Sequence, residues 1–162
     1  MTQTAMPPVN ASDNAGVIMR PPNLVAATFV LGFALELLWP TCLPGGRAFL
    51  VLGLPFIAGG VLLMAAAMRQ FRAAGTHVET WRPTEALVTR GVYARTRNPI
   101  YLAMLAIYIG LGIEINSVWV LALAVPLFFA LRYGVIAREE RYLAAKFGEP
   151  YRAYCAQVRR WL

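Results

Sequence analysis

LVTRGVYARTRNPIYLA, residues 87–103, carries the transition that decides the fold. Its first half is a basic, loop-like segment, punctuated by Gly91 and charged by Arg90, Arg95 and Arg97. At Arg97-Asn98-Pro99-Ile100-Tyr101 it gives way to an apolar helix, with a proline suited to the first helical position. A stretch that sets arginines, an amide and two tyrosines against a membrane-like helix is suited to holding a polar ligand at a membrane surface.

The flanking sequence places that boundary in a small membrane protein. The chain has 162 residues, is 59% hydrophobic and has a mean hydropathy of +0.55, too apolar for an ordinary soluble domain. Apolar windows cover residues 24–43, 48–68, 99–113 and 117–136, against roughly 20 residues needed to cross the hydrocarbon. The expected fold is an all-α, multi-pass transmembrane helical bundle of about four spans with cytoplasmic C-terminal helices. The third window is short, so either it begins inside the basic segment or it forms a shallow hairpin with the fourth.

The net charge of +7 comes from 15 Lys and Arg against 8 Asp and Glu. Arg69, Arg72, Arg82, Arg90, Arg95 and Arg97 crowd the second connection, and Arg132, Arg138, Arg141, Lys146, Arg152, Arg159 and Arg160 follow the turn near Glu114. By the positive-inside rule that connection and the tail are cytoplasmic, and an even number of spans puts the N-terminus there too. The expected location is a bacterial inner membrane. Basic charge beside membrane spans follows from topology, so nucleic acid is not an expected partner. Cys42 and Cys155 fall on opposite sides, which excludes a disulfide between them.

Residues 1–23, with Pro7-Pro8, Asn10, Ser12, Asp13, Asn14 and Pro21-Pro22, read as a flexible tail without the basic start or cleavage site of a signal peptide. Residues 24–68 read as an antiparallel transmembrane hairpin turning at Pro44-Gly45-Gly46, a scaffold for the functional core of residues 69–162. Glu36 is expected deep in the first span, where a carboxyl is either functional or bonded to a neighbouring helix. The connection over residues 69–98, with Trp81-Arg82-Pro83 at its centre, is long for a loop without a task. After the Glu114-Ile115-Asn116 turn the last span carries Trp119 and a mid-helix Pro126 and leaves the membrane still helical. On a 3.6-residue period Ile136, Glu140, Leu143 and Phe147 share one face, and Arg132, Val135, Glu139 and Tyr142 the adjoining one. Gly148 stops that helix, and Pro150 opens a final one with an apolar stripe of Tyr151, Tyr154, Val158 and Leu162.

Soluble nucleotide-enzyme signatures are missing. Gly110-Leu111-Gly112 is a lone GxG in an apolar helix, and there is no P-loop or GxSxG. A single His77 and two separated cysteines give no metal-ligand set, so no metal is expected. What remains is a cluster of Arg97, Asn98, Glu139 and Glu140 with Tyr93, Tyr101, Tyr142, Tyr151 and Tyr154. Two readings stand. A guanidinium and an amide suit a carboxylate, glutamates an ammonium, and tyrosine faces a sulfonium, the three groups of S-adenosylmethionine. Alternatively Arg138 and Arg141 pair with Glu139 and Glu140 on an exposed helix, and the tyrosines are interfacial anchors.

In order along the chain, Leu87-Val88-Thr89-Arg90-Gly91-Val92-Tyr93, Arg97-Asn98-Pro99-Ile100-Tyr101, the Glu139-Glu140 pair with Leu143, and Phe147-Gly148-Glu149-Pro150-Tyr151 with Tyr154 resemble the isoprenylcysteine carboxyl methyltransferases and related phospholipid methyltransferases over roughly residues 75–160. The resemblance implies an integral-membrane methyltransferase with S-adenosylmethionine as cofactor, S-adenosylhomocysteine as product and a lipophilic acceptor entering from the bilayer. It implies cofactor contacts at Leu87, Val88, Tyr93, Pro99 and Tyr101, with Glu85, Ala86 and Ile100 between them; Arg97, Asn98 and Tyr151 join that set. Asn98 stands where the isoprenylcysteine enzymes have histidine. Glu139, Glu140 and Arg138 are the candidate catalytic residues, and Arg132 with Glu139 the candidate acceptor-binding pair. Val135 replaces an arginine expected one turn before Glu139, which weakens the case for a prenylcysteine acceptor. A carboxylate is the acceptor implied by the isoprenylcysteine likeness, with a phospholipid amine, a small amine or a thiol as alternatives. A non-catalytic membrane protein retaining the fold and a transporter are the remaining alternatives, although four short spans with one buried carboxylate offer little for a transport path. Nothing in the sequence sets the oligomeric state.

Overall fold

The computed structural model describes residues 16–17, 19–44, 51–76 and 84–162. The tail before residue 16, the turn at Gly45-Gly46 with Arg47, and the loop centre with His77 and Trp81-Arg82-Pro83 lie outside them. Among the described residues all regular structure is helical. It comprises α1 (Pro21–Leu38), α2 (Gly53–Ala73), a 3₁₀ turn (Gly91–Ala94), α3 (Pro99–Glu114), α4 (Val118–Phe129), a π-helical segment (Ala130–Ile136), α5 (Ala137–Phe147) and α6 (Glu149–Gln157).

Three helical stretches are long and apolar enough to cross a membrane: α1, α2 and the continuous path Val118–Phe147. The protein is an integral membrane protein. Helix α3 is shorter, at 16 residues, about 24 Å long against a hydrocarbon core of about 30 Å. It is also the most enclosed helix, burying Tyr101, Ala103, Leu105, Tyr108, Gly110 and Ile113, so its ends are met by protein. Helix α1 is apolar all round and buries only Pro21 and Gly32, as expected of a helix that faces lipid.

The helices do not pair as the sequence order suggests. Instead of closing a hairpin on each other, α1 packs chiefly on α4 and α2 packs along α3. Lipid supplies no hydrophobic force between helices, so the closest backbone approaches decide the partners. A Cβ on Gly53 or on Gly110 would lie 2.8 Å from the other glycine's carbonyl oxygen, and one on Gly32 would lie 2.8 Å from Val120 Cγ2. These contacts create two helix pairs, with α3 and α4 joined through the turn at Asn116.

Glu36 occupies the last turn of α1 rather than the middle of a span. Its carboxylate accepts bonds from Thr41 Oγ1 and Ser117 Oγ, both at 2.6 Å. Ser117 is the N-cap of α4. Leu43 N donates to Asn116 Oδ1 and Trp119 Nε1 to the Trp39 carbonyl. Together these bonds fasten the end of α1 to the α3–α4 turn, so the observed role of Glu36 is interhelical bonding.

The long helix from Val118 to Phe147 has 30 residues, about 45 Å of helix for a core of about 30 Å. Its charged final third, from Arg138 onward, therefore extends beyond the hydrocarbon. Gly148 (φ 57°) ends α5 and reverses the chain into α6, whose Tyr151 and Tyr154, with Val158, form a small second core against Leu87, Leu143 and Phe147. Leu162 falls outside the helix and is exposed; Trp161 packs inward in its place, on Phe128.

Candidate functional site

The start of α1, the end of α2, the start of α3 and the α5–α6 corner meet at one end of the bundle around a cavity of about 570 Å³. That volume is within the range of small-molecule sites. One part of its wall is polar: Arg72, Arg97, Asn98, Glu139, Glu140 and tyrosines 93, 101, 142, 151 and 154. The other is apolar and lies between helices, with Met64, Met68, Met104 and Ile100.

Local chemistry explains the polar wall. Pro99 opens α3 at its first turn and leaves Asn98 as the buried N-cap. One turn in, Tyr101 Oη donates to Glu139 Oε1 at 2.8 Å, tying α3 to α5. Arg97 lies 3.3 Å from Glu140 Oε1 and donates to Cys155 Sγ. Glu140 also receives Arg160 in a forked pair, with Nε at 3.0 Å and the terminal nitrogen at 2.6 Å. The 3₁₀ turn is held from two sides: Tyr154 Oη donates to the Tyr93 carbonyl at 2.7 Å, and Phe71 meets the Tyr93 ring edge-on at 5.4 Å.

Burial sets the ionisation of these groups. Removal from bulk water raises the Glu139 carboxyl to about 7; the Tyr101 hydrogen bond opposes the rise and the Glu140 charge adds to it. Burial likewise pushes Tyr154 up to about 12 and Tyr93 well above its ordinary value, the latter with help from the Glu139 charge. The two phenols stay neutral, as donors and as ring faces.

Of the residues singled out in the sequence, Ala86, Leu87, Val88, Tyr93, Arg97, Asn98, Pro99, Ile100, Tyr101 and Tyr151 line the cavity, as do Glu139 and Glu140. Glu85 does not; it is exposed, and its amide donates to Thr76 Oγ1. Arg138 turns away to donate to the Gly16 carbonyl at 2.9 Å. Arg132 is also outside the wall, its guanidinium over the Tyr133 ring. Seven residues of regular helix would bring Arg132 and Glu139 onto one face, but the wider i→i+5 turns of the π segment rotate them apart.

The expected scaffold, residues 24–68, includes Met64 and Met68, which line the wall; Phe71 and Arg72, inside the expected core, and Pro21 and Pro22 of α1 also line it without having been singled out as site residues. The spacing of Met64, Met68 and Phe71 along one helical face was the available signal.

A helical membrane protein with a cavity that is polar at the aqueous end and apolar between its helices defines the class. Within it, the chain belongs to the phospholipid methyltransferase family, whose model matches residues 48–150. It is similar to the cobalt-zinc-cadmium resistance protein CzcN of Cupriavidus metallidurans, 42% identical over 69 residues, which cover 42% of this chain and 32% of that protein. It is also similar to an uncharacterized protein of Haemophilus influenzae, 67% identical over 27 residues, covering 17% of this chain and 43% of that one. The matched stretches span less than half of either relative.

Proposed function

We propose that the protein is an S-adenosylmethionine-dependent methyltransferase acting on a lipophilic acceptor, with the cavity mouth in the cytoplasm. One observation carries the reading: a single cavity joins a wall of Arg97, Asn98, Glu139 and tyrosines to an apolar recess of Met64, Met68 and Met104. The donor set fits the cofactor. Arg97 Nε is buried without a hydrogen-bond partner among the described residues, as suits a guanidinium awaiting a carboxylate. Glutamate oxygens suit an ammonium, and the neutral rings of Tyr93 and Tyr154 suit a sulfonium. The cofactor, when bound, supplies an electrophilic methyl group.

The chain's own part is to orient, to exclude water and to take a proton. Two oriented reactants gain roughly 7–11 kcal/mol over free ones. The two carboxylates have different tasks. Glu140 is shared between Arg97 and Arg160, whereas among the described residues Glu139 has the Tyr101 hydroxyl alone and titrates near neutral pH. Glu139 is therefore the proton acceptor.

A carboxylate acceptor, as in the isoprenylcysteine enzymes, has no proton to lose at neutral pH. The place of Glu139, with Arg132 and Arg138 outside the cavity, supports an amine or thiol instead. The test is binding of S-adenosylhomocysteine to detergent-purified protein, followed by methyl transfer to lipophilic amines, thiols and carboxylates in parallel. Saturable binding and turnover with an amine or thiol is the expected result. Folded protein that binds no cofactor overturns the proposal, and turnover confined to carboxylates overturns the role of Glu139.

A further inference from the structure

The last residues of the chain lie outside the cavity and beyond the stretch matched to the family, yet they bond to both halves of its polar wall. Helix α6 ends at Gln157, and Val158 continues in extended backbone. From there the main chain runs against the Arg97-Asn98 motif. Arg97 N donates to the Arg159 carbonyl at 3.0 Å, and the Arg160 carbonyl accepts from Asn98 Nδ2 at 3.0 Å and Thr96 Oγ1 at 3.3 Å. The Arg160 side chain turns to the other half and forks onto both oxygens of Glu140. Trp161 then packs on Phe128, ring centroids 5.2 Å apart.

We infer that Arg160 is a positioning residue: its carbonyl and guanidinium strap the Arg97-Asn98 motif to Glu140 and thereby set Arg97 toward the cofactor. This rests on the reading of the cavity as a cofactor site. The geometry gives the reason. Glu140 has two oxygens and two guanidinium partners, so Arg160 takes the forked contact and Arg97 retains only a 3.3 Å one. Without Arg160, Glu140 holds Arg97 alone and draws it away from a ligand carboxylate. The Asn98 amide is directed to the tail, so it acts by holding Arg160 in place.

None of residues 158–162 lines the cavity, so loss of the strap acts on cofactor through Arg97 and leaves acceptor affinity alone. A lysine at position 160 preserves the charge and all the main-chain bonds but makes no fork.

The experiment compares wild type, Arg160→Lys, Arg160→Ala and the exposed-site control Leu162→Ala. It reads S-adenosylhomocysteine affinity by calorimetry and, on ligand-free protein, amide hydrogen exchange over residues 96–99. Arg160→Ala is expected to weaken binding about tenfold or more, in line with the loss of a forked charge-assisted pair. It is also expected to speed exchange at Arg97, while Arg160→Lys falls between and Leu162→Ala matches wild type. Acceptor KM stays unchanged throughout. Wild-type affinity in both Arg160→Ala and Arg160→Lys overturns the inference and leaves the methyltransferase reading intact. Absence of binding by folded wild type overturns that reading and the strap's cofactor role with it. If Arg160→Ala does not fold, Arg160→Lys decides: no change in affinity or exchange counts against the strap.

Discussion

The Tyr101 hydroxyl and the Glu139 carboxylate, 38 residues apart in the chain, meet at 2.8 Å and join the first turn of α3 to α5 across the polar wall of the cavity. This bond holds Glu139 in place and favours its charged form, while burial favours the neutral form and prevails. The balance of the two sets the pH range over which Glu139 changes charge.

Turnover is expected to rise with pH through about 7, as Glu139 loses its proton and becomes able to take one. Tyr101→Phe removes the bond that lowers this value, so the midpoint moves to higher pH. A single hydrogen bond worth about 1 kcal/mol limits the move to about one pH unit or less. Glu139→Gln abolishes the pH-dependent limb and lowers kcat by about 10²–10⁴ for a proton-bearing acceptor. Rate profiles between pH 5 and 9, on the order of the range where such groups titrate, check both outcomes.

Met64 and Met68 line the cavity about two turns and one turn before Arg72 along α2. Met68→Trp fills the apolar recess and is expected to raise the acceptor KM about tenfold or more while S-adenosylhomocysteine affinity stays at the wild-type value. Parallel acceptor kinetics and cofactor calorimetry separate the two ends of the cavity.

Glycines on α2 and α3 differ according to what faces them. A Cβ on Gly110 would lie 2.6 Å from Ile57 Cγ1 and 2.8 Å from the Gly53 carbonyl, whereas one on Gly59 meets nothing within 4 Å. Gly110→Ala is expected to destabilise by about 1–3 kcal/mol. Gly59→Ala is expected to be neutral or to stabilise by up to about 1 kcal/mol, through helix propensity. Thermal unfolding in detergent distinguishes them.

Glu36 stands at the far end of the bundle from the cavity, bonded to Thr41 and Ser117. Glu36→Ala releases the end of α1 from the cap of α4. The expected outcome is a lower unfolding temperature with unchanged S-adenosylhomocysteine affinity; a large loss of affinity would assign Glu36 a part in the site.

Composition and periodicity alone determined the membrane class, the helical content, the break at Gly148-Pro150 and the segments that build the polar wall. Each depends on local properties: apolar runs of spanning length, a proline at the first turn of α3, a glycine at positive φ. The Arg97 to Tyr101 motif is legible because its chemistry is concentrated in one short stretch, whereas residues 86–88 are marked only by the resemblance to the methyltransferase family.

Only the tertiary structure decided which helices pair, which charges face the cavity and which are tied elsewhere. Helix partners follow from glycine contacts such as Gly53 with Gly110, and a glycine in a sequence does not name its opposite number. Seven residues of regular helix would align Arg132 and Glu139, but the π turns between them rotate the helix, and i→i+5 bonding leaves no sequence mark as plain as a proline. Glu139 and Glu140 are adjacent and chemically identical. They differ because one meets Tyr101 and the other two arginines, 43 and 20 residues away in the chain, and long-range electrostatic contacts of that kind exist only once the helices have packed.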